Sequence, residues 1–205
     1  MKTVVSNFSS EYRIKSSRFL GYLSPATTDT DIEKQLEAVK HEHRTATHHC
    51  YAYLINPNEP VEFYSDDGEP NGTAGLPILN TLKSYNLMNV ILIVVRYYGG
   101  TKLGKAGLID AYKISAKRSV ESARLKTLIP IKTYHLEYDY SQQALIEKWK
   151  NTFSWIELES SYFETVKMKV GCPKDEVKSF EKAIQSMEHQ LINFKKMDES
   201  FHIKN

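Results

Sequence analysis

The residues best suited to chemistry lie in a glycine-rich segment that directly follows the most apolar run of the chain. Residues 90–95 are wholly apolar, and residues 96–106 read RYYGGTKLGKA. A strand, a glycine-rich turn and a helix in this order expose backbone N–H groups at the helix N-terminus, where their partial positive charge favours anions. The sequence therefore predicts an anion-binding turn. The alternative is that the glycines only allow the helix to pack closely on the strand.

The sequence of the turn is similar to the P-loop motif of nucleotide-binding proteins, but it lacks the Ser or Thr that binds the metal ion in that motif. Residues 99–106 (GGTKLGKA) have Ala106 where a P-loop has Ser or Thr, whose hydroxyl binds Mg²⁺. The sequence also offers no apolar strand that ends in an aspartate to supply a second ligand. We therefore expect no nucleotide turnover and no cofactor.

A second group of candidate residues combines a histidine, a cysteine and an acidic loop. His48 and Cys50 lie two positions apart in a predicted strand, so their side chains share one face. No further Cys or His follows at zinc-ligand spacing, so we expect no metal site. Cys50 is expected to be a buried small hydrophobic residue, because side chains at this spacing are usually too far apart for a nucleophile and its base. His48 could be a catalytic group or a structural histidine with satisfied hydrogen bonds.

The acidic loop, residues 66–75 (DDGEPNGTAG), leaves two interpretations open. Asp67 and Glu69, with Thr73 in the same loop, could form an acid/base site next to His48. Acidic turns are also common because aspartate stabilises turns through hydrogen bonds to the nearby backbone. The sequence thus indicates a candidate functional loop without deciding its role.

The elements that must position these residues change character near residues 127–130, and we place a domain boundary there. The sequence TDIE from Thr30 to Glu33 has the form of a capping box, which predicts a helix from there to about His43. The other predicted elements are strands over residues 12–23, 48–55 and 89–97, a helix over residues 75–85 and a long helix up to Arg124.

After the boundary, the chain alternates regular elements in a βαββαβ order. Residues 134–140 alternate as in a half-buried strand, and the following segments predict a helix, a hairpin, a second helix and a last strand over residues 190–197. This order is the ferredoxin-like arrangement. We therefore predict two α+β domains, residues 1–127 and residues 128–205. The side chains expected in the core of the second sheet are Tyr138, Val166 and Met168.

The composition is that of a globular protein and limits the classes of partner. The chain has 27 Lys+Arg and 25 Asp+Glu, a net charge of +2, whereas a protein that coats nucleic acid non-specifically is usually more basic. Any anion site must therefore be local. The longest apolar run, residues 90–95, is far too short to cross a membrane, and the two cysteines form no disulfide framework. We expect a cytoplasmic protein with reduced thiols and no membrane partner.

Several of these segments match motifs of a known family in their order along the chain. They are residues 15–19 (KSSRF), 46–52 (ATHHCYA), 67–70 (DGEP) with 72–75 (GTAG), and 95–104 (VRYYGGTKLG) with Gly107-Leu108. Together they resemble the YigZ/IMPACT family over roughly residues 12–125. The resemblance implies an N-terminal domain with the fold of the second domain of a small-subunit ribosomal protein, also present in elongation factor G. It further implies a ferredoxin-like C-terminal domain and a link to translation or nucleic-acid binding, with no established reaction.

Three functions follow as hypotheses. The leading one is a non-catalytic, translation-linked regulator that binds RNA or the ribosome, with cations holding phosphates and aromatic rings stacking on bases. The residues of its positive, aromatic-bearing face are Arg18, His48, Arg96, Tyr97, Tyr98, Gly99, Gly100, Lys102, Gly104 and Lys105. The alternatives are a hydrolase that uses His48, Asp67 and Glu69 in one pocket, and an adaptor that binds only protein.

Overall fold

The most apolar run of the chain forms the central strand of a sheet in the first of two units. A computed structural model describes residues 1–187 and 191–204, and the chain divides into the units Met1–Thr127 and Leu128–Lys204. Each unit consists of a sheet with helices packed on it, which confirms the predicted α+β class. Within the described residues, no helix combines the length and the apolar character that crossing a bilayer requires.

The first unit is built mainly from an antiparallel sheet and three helices. Its elements are β1 (Lys2–Thr3), β2 (Phe8–Ile14), β3 (Ser17–Pro25), α1 (Asp29–Glu42), β4 (His48–Ile55), β5 (Val61–Ser65), α2 (Gly75–Ser84), β6 (Val90–Tyr97) and α3 (Gly104–Glu121). Five strands form the sheet in the order β2-β3-β6-β4-β5, and every neighbouring pair is antiparallel. Helix α1 packs on one face, and α2 and α3 cover the other.

Strand β6 is buried on both faces, because helices cover both sides of the sheet at its centre. Every residue from Val90 to Arg96 is buried. Near-continuous apolar strands are typical of parallel sheets between two helix layers, and this antiparallel sheet has the same two-sided cover. The burial of β6 fixes the point at which the glycine-rich turn leaves the sheet.

The N-terminus of α1 is capped by a different box from the one predicted. Thr28, with extended backbone angles, accepts the Asp31 N–H at its Oγ1 (3.2 Å), and Asp31 Oδ2 accepts the Thr28 N–H (3.1 Å). The predicted box from Thr30 to Glu33 is wrong, because the helix begins at Asp29 and Thr30 already lies in its first turn. The segments Thr28–Asp31 and Thr30–Glu33 both fit the Thr-x-x-acid pattern, so the sequence alone does not show which of them caps the helix.

Replacing Thr28 by alanine is expected to lower the free energy of unfolding by about 1 kcal/mol, because the α1 cap loses its acceptor. Hydrogen bonds from Thr27 and then Thr28 hold the pKa of Asp31 at about 2, below its ordinary value of 3.8. The stabilisation from Asp31 is therefore full above pH 3.8 and is lost as the pH falls toward 2. Urea denaturation at several pH values measures both effects. Thr30→Ala is the matched control, and an equal loss in that variant would contradict the assignment of the cap.

The second unit has the predicted βαββαβ order. Its elements are β7 (Lys126–Tyr138), α4 (Gln143–Thr152), β8 (Ile156–Tyr162), β9 (Val166–Pro173), α5 (Val177–Met187) and β10 (Asn193–Lys204). The strands lie in the order β10-β7-β9-β8, and β9 is antiparallel to both β7 and β8. This is the ferredoxin-like arrangement. Tyr138, Val166 and Met168 lie in its core, with at most 3% of each residue exposed, as predicted.

Two strands differ from the prediction. The last strand was predicted over residues 190–197, but β10 begins at Asn193 and continues to Lys204, and Gln190 lies outside the described residues. Strand β5 (VEFYS) was not predicted, because the alternation of Val61 and Phe63 with Glu62 is only three residues long and ends at Tyr64.

Candidate nucleic-acid interface

Three segments of the first unit meet at the end of the sheet where β6 finishes. The β2–β3 turn consists of Lys15 and Ser16, with positive φ angles of 44° and 62°, the geometry of a two-residue hairpin turn. Gly99 passes directly over this turn, since a Cβ there would come within 2.1 Å of the carbonyl carbon of Ser16. The Tyr98 N–H donates to Thr47 Oγ1 (3.2 Å), just before β4. The turn after β6 is therefore held against both neighbouring segments.

Arg96 is buried beneath this end of the sheet. Its side chain is 6% exposed, and its Nη1 donates to Glu69 Oε1 at 2.5 Å. Its guanidinium carbon lies 5.4 Å from the ring centroid of Phe19 and 5.3 Å from that of Tyr98. Arg96 was predicted on the binding face, but the two-sided cover of β6 keeps its side chain in the interior. Its charge is neutralised there by Glu69, and it supports the Tyr98 ring from below.

Glu69 is the central acceptor of a buried polar cluster. Its Oε1 also accepts the Tyr112 hydroxyl proton (2.9 Å), and the Cys50 thiol can donate to the Tyr112 oxygen (3.3 Å). Burial raises the pKa of Cys50 and of Tyr112, so Cys50 is a protonated thiol in the core, as the sequence analysis expected. Tyr112 was not predicted from the sequence to belong to this cluster. A buried tyrosine needs a hydrogen-bond partner, but this partner lies 43 positions away in sequence.

His48 and Asp67 are joined through a main-chain contact. His48 Nδ1 lies 2.7 Å from the Asp67 carbonyl oxygen, so this nitrogen carries the proton and donates it. The other ring nitrogen, Nε2, is 3.9 Å from Glu69 Oε1. The Asp67 carboxylate accepts the backbone N–H of His49 at 2.6 Å. The three hydrolase candidates are therefore neighbours, but both carboxylates already accept hydrogen bonds from the protein.

The acidic loop is held in place by Asp66, which the sequence analysis treated only as part of a turn. Its carboxylate accepts backbone N–H groups of Gly72 (2.8 Å), Ala74 (2.9 Å) and Gly75 (2.8 Å). Thr73 is buried, and its hydroxyl donates to a carbonyl oxygen of the same loop at 2.6 Å. These bonds fix the loop at the start of α2, so Thr73 serves the structure of the loop.

The two adjacent tyrosines point in opposite directions, as the alternation of a strand predicts. The Tyr97 hydroxyl lies 2.9 Å from His43 Nδ1, and His43 Nε2 lies 2.5 Å from the Tyr22 hydroxyl. Tyr97 thus packs on the α1 side of the sheet. Tyr98 is 45% exposed, whereas Tyr97 is partly buried, so Tyr98 is the ring better suited to stacking.

The positive charge at this end of the sheet comes mainly from three lysines. Lys15, Lys102 and Lys105 are exposed, and within the described residues none of them forms an ion pair. Arg18 is also exposed, but its Nε and Nη2 donate to the Glu11 carboxylate at 2.9 and 3.1 Å. This contact lowers the pKa of Glu11 and partly neutralises Arg18.

The start of α3 adds to this positive charge. Gly100 and Gly104 have φ angles of 82° and 72°, a region that favours glycine. Leu103 precedes the helix and offers no capping side chain to its first turn. The first N–H groups of α3 therefore lack an acceptor from the cap residue, and their partial positive charge lies next to Lys102 and Lys105.

Comparisons with known proteins agree with this architecture. Residues 15–120 match the Impact N-terminal domain, and residues 136–187 match a domain of unknown function, DUF1949. A crystal structure of a hypothetical protein has a TM-score of 0.66 and 29% identity, and the alignment covers 96% of this chain and 97% of that chain. The same two-unit fold therefore occurs in a relative of nearly the same extent.

Two curated relatives match most of the chain. IMPACT family member YvyE of Bacillus subtilis is 34% identical over 170 residues, which cover 83% of this chain and 78% of the relative. IMPACT family member YigZ of Escherichia coli is 33% identical over 169 residues, which cover 82% of this chain and 83% of the relative. The motifs that suggested the resemblance surround the end of the sheet described above. This chain belongs to the IMPACT family.

Proposed function

We propose that this protein is a non-catalytic, translation-linked regulator in the cytoplasm that binds RNA, either free or in the ribosome. The binding surface is the cationic end of the first unit, defined as Lys15, Arg18, Tyr98, Lys102 and Lys105. The observation that carries the proposal is that three exposed lysines, which form no ion pair within the described residues, lie in two turns that meet beside the exposed Tyr98 residue and at the following helix start, which has no side-chain cap. The link to translation is the expectation that comes with the family.

The chemistry of this surface suits a single-stranded nucleic acid. Lysines and helix N–H groups can hold phosphates, and an exposed aromatic ring can stack on a base of any sequence. Tyr98 is suited to this role because the Arg96 guanidinium lies 5.3 Å from its ring centroid and supports it. Within the described residues, the three lysines have no ion-pair partner that would orient them toward one base edge, so we expect binding to depend little on sequence.

The proposal that the protein is non-catalytic is supported by the hydrogen bonds that the Glu69 and Asp67 carboxylates already accept. The Glu69 carboxylate accepts from Arg96 and Tyr112, and the Asp67 carboxylate accepts a backbone N–H. A general base must be free to take a proton from a substrate or water. Here both carboxylates instead hold together the segments that present the cationic end.

Binding of unstructured RNA to the full chain is expected to fall steeply with salt. Four cations, Lys15, Arg18, Lys102 and Lys105, give about four phosphate contacts, and at roughly −0.7 per contact the slope of log affinity against log salt should be near −3. Filter-binding titrations at several KCl concentrations, with RNAs of different sequence, measure this slope. If no RNA or ribosome preparation binds in a salt-dependent manner, the proposal is wrong and an adaptor that binds only protein takes its place.

A further inference from the structure

Strand β5 forms an exposed edge of the first sheet and carries unusually apolar side chains for that position. Val61 is 45% exposed, Phe63 46% and Tyr64 37%. The ring of Phe63 lies 5.9 Å from that of Tyr51 and 5.6 Å from that of Tyr53, measured between centroids. The three rings form one cluster on the face of the sheet that also bears α1. An exposed apolar edge strand is a template for pairing with another strand.

The backbone of β5 is paired on one side only. It pairs with β4 over residues 61–65, and within the described residues no strand pairs with its other side. Alternate N–H and C=O groups along β5 therefore face outward without a strand partner. Proteins usually block such an edge with lysine, proline or a bulge. Strand β5 (VEFYS) contains no lysine, proline or bulge, and its one charged side chain, Glu62, is paired with Lys83 of α2.

The inner side of β5 is firmly held. Lys83 of α2 forms an ion pair with Glu62 at 2.7 Å. The first residue of α2, Gly75, packs so closely on the end of β5 that a Cβ there would come within 2.7 Å of the Ser65 carbonyl oxygen. The edge is therefore preorganised, which reduces the entropic cost of adding a strand to it.

Carboxylates flank strand β5 along the chain: Glu59 lies two residues before it, and Asp67 lies two residues after it and accepts the His49 N–H of β4 at 2.6 Å. The pKa of Tyr53 is raised mainly by burial and also by the negative charge of Asp29. The pKa of Tyr51 is raised mainly by burial and also by Tyr53 and Asp67. Glu59, in the β4–β5 turn, is exposed and forms no ion pair within the described part of the chain. Acidic groups near the exposed Phe63 ring favour a cationic partner.

We propose that the β5 edge binds an extended segment of a protein partner that carries arginine or lysine, which pairs with β5 as an added strand. The outward backbone groups of β5 supply the hydrogen bonds. The cations of the segment lie over the exposed ring of Phe63, where Glu59 and Asp67, on either side of β5, attract them. This surface is separate in residues and opposite in charge from the cationic end, so it selects a different class of partner.

An NMR titration of the full chain with a short, end-blocked peptide of alternating arginine and valine tests the proposal. The expected result is a set of amide shifts centred on residues 61–65. Phe63→Ser should weaken binding about tenfold, because a cation loses its ring and the added strand loses its apolar contact. Phe163→Ser is the matched control, since Phe163 is 80% exposed in the second unit. It should leave the affinity unchanged.

Two further peptides and a second variant separate strand addition from charge alone. Peptides with glutamate in place of arginine, or proline in place of valine, should bind at least about tenfold more weakly. Glu59→Lys lies outside the strand and should also weaken the arginine peptide. Equal binding of either altered peptide, or no binding of the arginine peptide, overturns the proposal. Self-association of the protein that Phe63→Ser abolishes would overturn it too, because the edge would then bind a second copy.

Discussion

Replacing Glu69 by alanine is expected to lower the free energy of unfolding by about 3 kcal/mol or more. The substitution leaves the Arg96 guanidinium, whose side chain is 6% exposed, as an uncompensated charge in the interior. It also removes the acceptor of the buried Tyr112 hydroxyl. Arg96→Ala should cost a similar amount, since it leaves the Glu69 carboxylate buried without its cation.

The matched control for this prediction is the exposed ion pair on the same unit. Lys83 and Glu62 are 2.7 Å apart with 45% and 47% of their side chains exposed, so Glu62→Ala should cost no more than about 1 kcal/mol. The Glu69→Ala/Arg96→Ala double variant should lose much less than the sum of the single losses, because removing both partners leaves no unpaired charge. Urea denaturation of all four variants measures their losses in the free energy of unfolding. Additive losses, or a Glu69→Ala effect no larger than that of Glu62→Ala, would contradict the description of the buried pair.

Replacing Tyr98 by alanine is expected to cost about 1–3 kcal/mol of RNA binding, because a base loses its stacking ring. The slope of log affinity against log salt should remain unchanged, since no phosphate contact is removed. Tyr97→Ala should behave in the opposite way. Its side chain is partly buried against the core cluster and its hydroxyl contacts His43, so the variant should lose stability and keep its affinity when folded.

Filter binding and thermal denaturation of both variants separate the two outcomes. Tyr98 is 45% exposed, so its removal should shift the melting temperature little. An affinity loss in the Tyr97 variant with none in the Tyr98 variant would show that the wrong ring has been assigned to the nucleic acid.

The features that were predicted from the sequence are those with local causes. The order of elements in the second unit follows from short periodic segments, and the buried strand β6 follows from its unbroken apolar run. The glycine-rich turn and its helix were predicted in the same way. The cap of α1 was misplaced because Thr28 and Thr30 both begin a Thr-x-x-acid sequence.

The features that were missed depend on contacts between distant segments. A charged residue is usually exposed, so no local pattern indicates that Arg96 is buried. Its partner Glu69 is 27 positions away in sequence, and Tyr112 joins the pair from α3. Lys15 was quoted as part of a motif, but its place at the cationic end follows only from the contact between Gly99 and Ser16.

The central claim, that the cationic end holds RNA phosphates, is tested most directly by the salt dependence of two lysine variants. Lys102→Ala and Lys105→Ala should each weaken binding to every RNA sequence and make the slope shallower by about 0.7, the contribution of one phosphate contact. Lys34→Ala is the control, because Lys34 is an exposed lysine on α1, away from the turn after β6. It should leave the slope unchanged. Slopes that are the same in all three variants and the unsubstituted protein would contradict the claim.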